Sequence, residues 1–352
     1  MRRMGWLRTG VYSGVLCALT CPGGASAQPA EQFYKGKTLV IYSGLSAGGA
    51  YSAYARLLER HLGRHIPGNP VTVMKVMEGA NGLTLANYLY NVAPKDGLSI
   101  GIFHERIGLE PVVAPRGTMF DGRKFDWIGS AAKQTSVCFT RPESRVKTLA
   151  DAQRESIPVG ASAAAGSDSV MPRMMNTMLG TKFQVVQGYG GADILLAIER
   201  GEVEGRCGFG WASLKATRPD WAQQRKINLL AQFSYKPHPE LKDVPLMIDL
   251  VSKTEDKRAL QLVFATQEMG RPFTAPPGTP PDRLAVLRKA FLSALADPAL
   301  VAEADKQGME IDPISGEEIT QILVDLYDTP KEIVDRVNGF RTGRDDEKSI
   351  AR

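Results

Sequence analysis

The sequence predicts an α/β protein built from two sheet-and-helix modules, and three observations carry that expectation. Short β-rich apolar runs alternate with stretches of helical periodicity, the grammar of a parallel or mostly parallel sheet. The alternation comes in two successive sets of roughly 100 residues each, joined without a long linker. A loop rich in glycine, alanine or serine precedes the helix in several of these units. The chain has 352 residues, 43% of them hydrophobic and 23% charged, enough to bury a sizeable core.

The elements follow in order. Arg2, Arg3 and Arg8 form a positive leader, 10–20 (GVYSGVLCALT) is a short apolar stretch, and Ala25-Ser26-Ala27 is a small-residue cleavage site before Gln28. Residues 1–27 are therefore expected to be a secretory signal peptide. The residues flanking the arginines do not support a twin-arginine signal, and Leu16 before Cys17 or Thr20 before Cys21 suits a lipoprotein site poorly. The first unit is a strand at 37–43 (KTLVIYS), a Gly-containing loop and a helix at 51–61; the second is a strand at 71–77, the loop 79–82 and a helix at 83–91 stopped by Pro94. A strand at 98–103 closes the first set. After 126–129 and 137–140 a second set begins, with strands at 157–161, 183–186, 203–208 and 227–233 and helices at 170–179 and 192–200. Residues 271–281 (RPFTAPPGTPP) read as a Pro-rich loop before a periodic helix at 283–296.

Charge and motifs exclude several function classes. The leader holds three arginines and no acid, so the net charge of +5 falls to +2 without it, and nucleic acid is not an expected partner. No Gly-Lys-Ser/Thr occurs, which excludes a P-loop. Gly188-Tyr189-Gly190-Gly191 lacks the third glycine of a dinucleotide fingerprint. No cofactor is expected. His61, His65, His104 and His238 form no metal-ligand motif, and neither Cys138 nor Cys207 has a CxxC partner, so no metal is expected. These two cysteines remain once the leader is removed. In an oxidising compartment they can pair, the alternative being two buried thiols. Met171, Met174, Met175 and Met178 fall on one helix face and read as core. Phe209 and Trp211 suit either the core or a cleft wall.

Four loops place small residues before a helix: 46–50, 79–82, 163–167 and 188–191. Small residues let a ligand approach the backbone, and the free N–H groups at a helix start favour an anion. A cleft between two α/β modules is also where small ligands bind. Gly44-Leu45-Ser46-Ala47-Gly48 matches the GxSxG nucleophile elbow in a strand-to-helix context. It lies too near the start of the mature chain for an α/β-hydrolase, and no acid and histidine follow persuasively. A secreted hydrolase using Ser46 is the alternative from another class; as a loop residue, Ser46 is a hydrogen-bond donor to a ligand.

The chain resembles the periplasmic solute-binding receptors of tripartite tricarboxylate transporters, also called Bug proteins. The resemblance spans about 33–337 and rests on Ser46-Ala47-Gly48-Gly49-Ala50-Tyr51-Ser52 with Ala55-Arg56, and on Glu78-Gly79-Ala80-Asn81-Gly82 with Ala93-Pro94-Lys95-Asp96-Gly97. Gly188-Tyr189-Gly190-Gly191-Ala192, Ala275-Pro276-Pro277-Gly278-Thr279-Pro280 and Ala296-Asp297-Pro298 complete it. It implies a two-lobed periplasmic binding protein of the second type, with a ligand cleft between the lobes and no catalysis. One lobe is expected to combine 28–137 with 232–352, the other to hold 138–231. The ligand is expected to be a small organic anion, its carboxylate held partly by main chain through Gly48, Gly49, Ala50, Tyr51 and Ser52 on one side. Tyr189, Gly190, Gly191 and Ala192 are expected on the other, with Gly166, Ser167 and Asp168 at a matching helix start.

Ser46, Asn81 and Asp193 join these as candidate contacts, and Tyr51, Tyr189, Phe209 and Trp211 as walls that exclude water. The family usually has a proline, three glycines and, two residues later, an aspartate in the first loop. This chain has Ala47, Gly48-Gly49-Ala50 and Ser52, which is expected to change the groups the pocket can satisfy; Glu78 likewise replaces a common proline. The implied partner is a membrane permease, reached by a monomer that closes on its ligand. A receptor reporting to a signalling kinase is the other reading. A Cys138–Cys207 pair would tie the hinge side of the smaller lobe.

Overall fold

A computed structural model describes residues 30–342 apart from 165 and 192. The expected signal peptide at 1–27 lies outside the described residues, as does Ala192. Eleven strands form two sheets. The first contains β1 (Thr38–Ser43), β2 (Val71–Val76), β3 (Ser99–Ile102), β4 (Asp126–Ser130), β10 (Pro272–Ala275) and β11 (Ile314–Ser315) in the order β11-β4-β10-β3-β1-β2. The second contains β5 (Ser136–Thr140), β6 (Ile157–Gly160), β7 (Phe183–Val186), β8 (Gly205–Gly210) and β9 (Asn228–Phe233) in the order β7-β6-β8-β5-β9.

The two sheets repeat one plan. In each, three parallel strands (β2-β1-β3 and β7-β6-β8) are followed by an antiparallel strand, β10 or β5, that the chain supplies as it arrives from the other sheet. The chain leaves the first sheet through 131–135 and returns through 234–271. These passages run side by side: Ala131 N–H donates to Arg271 O at 3.0 Å and Gln134 N–H to Gln267 O at 2.8 Å. A Cβ at Gly270 would lie 2.7 Å from Gln134 N, so only glycine permits the approach.

The expected strands are present, with one correction. The segment 271–281, read as a loop, contributes β10, an interior strand of the first sheet whose four residues are all buried. Proline is tolerated because Pro272 is its first residue and the antiparallel register leaves Phe273 and Thr274 to pair with Ile102 and Gly101. Cys138 and Cys207 form a disulfide between neighbouring strands β5 and β8. The bond lies within the second sheet and does not cross between lobes, so it cannot limit their opening as a tether between them.

Each lobe has its own core, and two helices belong to both. Helix Thr254–Glu268 sends Ala259, Leu262 and Ala265 into the cluster around Phe103 and Trp127, and Leu260 and Phe264 into the cluster around Cys138 and Phe233. Helix Lys331–Thr342 divides likewise, with Val334 and Val337 on one side and Phe340 on the other. No helix among the described residues is long and apolar enough to cross a membrane.

Candidate functional site

The parallel strands decide where a ligand site can form, because loops at their C-terminal ends gather at the point where strand order reverses. On the first lobe the loops after β1, β2 and β3 lie together. A Cβ on Gly44 would sit 2.8 Å from Gly82 Cα, and Gly82, at φ +98°, packs against Phe103 too closely to bear a side chain. Gly49 N–H donates to Ser46 O at 2.9 Å and Arg56 holds Ala47 O at 2.6 Å, which fixes the first loop. Helix Ala50–His61 then starts on Gly49 with no side-chain cap, leaving first-turn N–H groups available to an anion. Ser46, Gly48, Ala50 and Asn81 are exposed and Gly49 half-buried.

On the second lobe the loops after β6, β7 and β8 converge in the same way. Gly188 N–H donates to Ser162 O and Ser167 Oγ to Gly208 O. Arg206 is the organiser. Its guanidinium donates to Gly191 O at 2.7 Å, pairs with Asp168 at 3.2 Å and lies over the Phe209 ring at 4.3 Å. Burial lowers the Arg206 pKa, with Asp168 opposing the shift. Helix Ser167–Leu179 starts on Gly166, again without a side-chain cap, whereas helices Leu149–Arg154 and Gly316–Tyr327 have complete capping boxes. Tyr189 is half-buried; Gly190, Gly191 and Asp193 are exposed.

The structure moves several expected contacts into supporting roles. Ser52 is fully buried and its hydroxyl is shared between Ser43 Oγ (2.7 Å) and Leu45 O (3.1 Å), so this departure from the family pattern is absorbed inside the lobe rather than presented to a ligand. Tyr51 is buried rather than a cleft wall. Its hydroxyl donates to the Glu105 carboxylate, and its ring stacks on His104 and lies under Arg271 at 4.5 Å. Desolvation, reinforced by Glu105, raises the Tyr51 pKa. Asp168 is likewise buried, accepting from Ser162 and Arg206.

Two cavities adjoin the passages between the sheets. One, of about 70 Å³, is lined by His104, Glu105, Arg106, Ser136, Ser167 and Gln267, among others. Of the residues singled out from the sequence, Ser167 lines it. The other is larger, about 960 Å³, and has Trp211 in its wall. There Lys215 joins Glu240 (2.9 Å) to Glu310 (2.8 Å), tying the second lobe to the first, and Trp211 donates to Glu240. His238, Glu240 and Glu310 bring their donor atoms within 4.8 Å of one another, a cluster sequence reasoning did not assemble; Lys215 already supplies its positive charge.

His104, Arg106, Ser136 and Gln267 were also missed as lining residues. Gln267 sits on helix Thr254–Glu268, whose acidic first turn and apolar spacing in TEDKRALQLVFATQE were a legible signal. Burial, with Arg106 and Arg271 nearby and Glu105 opposing, lowers His104 to about 4 and holds it neutral near pH 7.

Two α/β lobes linked by paired crossings, with Gly-started helices at facing strand ends, define a two-lobed periplasmic binding protein fold. Residues 55–338 match the tripartite tricarboxylate transporter family receptor, and the chain belongs to that family of solute-binding receptors. Solved structures agree in fold. A TctC solute-binding protein from Polaromonas superposes with a TM-score of 0.66 at 18% identity, over 87% of this chain and 98% of that one. An R. palustris protein with adipate gives 0.63 at 20% identity over 86% and 97%. MatC from Rhodopseudomonas palustris with bound malate gives 0.59 at 16% identity over 87% and 99%. A comparison with curated protein sequences finds no match.

Proposed function

We propose that this receptor works in the periplasm, binds a small organic carboxylate between its lobes by hinge closure, and delivers it as a monomer to a tripartite-type membrane permease without chemical conversion. The carrying observation is the pair of helices Ala50–His61 and Ser167–Leu179. Each starts on glycine, without a side-chain cap, at the C-terminal end of the first parallel strand of its lobe. Their free N–H groups and dipoles are suited to hold one carboxylate between them once the lobes close. Adipate and malate in the R. palustris relatives support the ligand class.

Contacts made only in the closed form would shift the open–closed equilibrium by their differential free energy. Ser46 does not favour the hydrolase reading: it is exposed and has no histidine or carboxylate partner among the described residues. The test is thermal melting of residues 28–352 against di- and tricarboxylates, aromatic acids, amino acids and neutral amides. An acid at 100 times its dissociation constant adds about 2.7 kcal/mol, a shift of several degrees. Silence from every acid, with a shift from a neutral or cationic compound, would overturn the ligand class.

A further inference from the structure

The 70 Å³ cavity has a lining unlike that of the Gly-rich loops. Leu109, Val113, Met171, Leu262 and Val337 supply apolar walls, drawn from both lobes and from the two helices that straddle them. Ser136 Oγ and Gln267 Oε1 stand among these walls without a hydrogen-bond partner among the described residues. Ser136 is 1% and Gln267 6% exposed, so neither reaches bulk water, and a buried polar group without a partner costs free energy. The cavity also adjoins the loops read as the carboxylate site. Ser167, the first residue of its Gly-started helix, lines it, and His104 and Arg106 line both it and a recess holding Ala80 and Asn81.

The wall carries Arg106 and Arg341 against Glu105. Arg341 faces Glu110 at 3.6 Å, and Arg106 shares the wall with the Glu105 carboxylate. His104 stays neutral. Both arginines of the wall thus already have a carboxylate nearby, Glu110 lying behind Arg341, while two neutral polar atoms have no partner among the described residues.

Resting on the receptor reading above, we propose that this cavity is a specificity subsite for the far end of the ligand. It would take an aliphatic segment of on the order of five heavy atoms, judged from the space one water needs, ending in a neutral hydroxyl or carboxamide that bonds Ser136 and Gln267. The preferred solute is thus a monocarboxylate with a neutral polar tail rather than a di- or tricarboxylate.

Calorimetric titration of residues 28–352 with hexanoate, 6-hydroxyhexanoate, adipate, the monoamide of adipate and acetate tests this. The hydroxy acid or the monoamide is expected to bind at least about tenfold tighter than adipate and hexanoate, the discrimination one well-placed hydrogen bond gives. Ser136→Ala combined with Gln267→Leu should erase that preference while hexanoate affinity stays within about threefold. As a second variant that adds no polar change, Val337→Phe should weaken the six-carbon acids about tenfold and spare acetate. The proposal is overturned if adipate binds as tightly as the hydroxy acid and the monoamide, if the preference survives Ser136→Ala with Gln267→Leu, or if Val337→Phe leaves the six-carbon acids unaffected. Binding of the acids with no preference refutes this subsite alone, whereas no binding by any of the five, together with silence from every acid in the melting panel, refutes the carboxylate reading beneath it as well.

Discussion

His104 and Asp168 sit in desolvated surroundings with different partners. His104 responds to burial by losing its proton, pushed to about 4 from an ordinary value near 6.5. Its folded-state pKa is the lower one, so the unfolded chain binds more protons between the two values. Stability is then fully present above the unfolded value and is lost as pH falls toward 4. The loss approaches about 3 kcal/mol in the limit. Urea unfolding at pH 7 and pH 4.5 should show it, and His104→Gln should flatten that part of the profile; an unchanged profile would mean His104 is solvated. Asp168 faces Arg206 at 3.2 Å, both nearly inaccessible at 3% and 7%. Removing one partner strands the other, so Asp168→Ala should lower stability by about 3–5 kcal/mol and loosen the loop at Gly191 that Arg206 holds. A loss below about 1 kcal/mol would show that water reaches the guanidinium. Neither role was legible in the sequence, where Asp168 was expected as a ligand contact at a helix start and His104 belonged to no motif. Both depend on which strands are neighbours, which local spacing does not encode.

The strand–loop–helix units were legible because their apolar periods are local. β10 was not, since proline at its first position and four more within 276–281 mimic a loop, and only its two partners in the sheet make it a strand. The glycines of the loops were legible as a pattern, but their separate tasks appear only in the fold. Gly82 and Gly44 serve close packing. Gly49 has φ −81° and Gly190 is absent from the positive-φ residues, so neither backbone conformation demands glycine; a Cβ at Gly190 would meet Asp193 Oδ2 at 2.3 Å, which the exposed Asp193 side chain can relieve by turning away. Gly49→Leu and Gly190→Leu should therefore keep the melting temperature of the free protein within a few degrees while cutting carboxylate affinity at least tenfold. Loss of stability without loss of affinity would assign them to packing. The Cys138–Cys207 bond closes a separation of 69 residues, for which chain entropy gives about 4 kcal/mol. Replacing both by alanine should lower the unfolding free energy by that order, measured by urea denaturation, with ligand affinity little changed because the bond lies inside one sheet.

Two lobes that repeat one strand order are joined by two adjacent passages, Ala131–Gln134 and Gln267–Arg271, about which the proposed closure would turn. Helices Thr254–Glu268 and Lys331–Thr342 straddle both cores and would form the spine of that closure. On the side of the larger cavity, the Lys215–Glu310 pair bridges the lobes, and Tyr54 fixes Glu310 through its carbonyl at 2.7 Å. The two-lobe plan was legible from alternation and from the family resemblance; the bridge was not, because Lys215 and Glu310 lie far apart in sequence in stretches without a motif. The central claim is that closure brings two uncapped helix starts onto one carboxylate. Its most direct test is calorimetric titration of residues 28–352, and of the Gly49→Leu variant, with the acid that raises the melting temperature most. A single site per chain, weakened at least tenfold by the substitution, is the predicted result. Undiminished affinity in the variant would contradict the claim and place the carboxylate elsewhere.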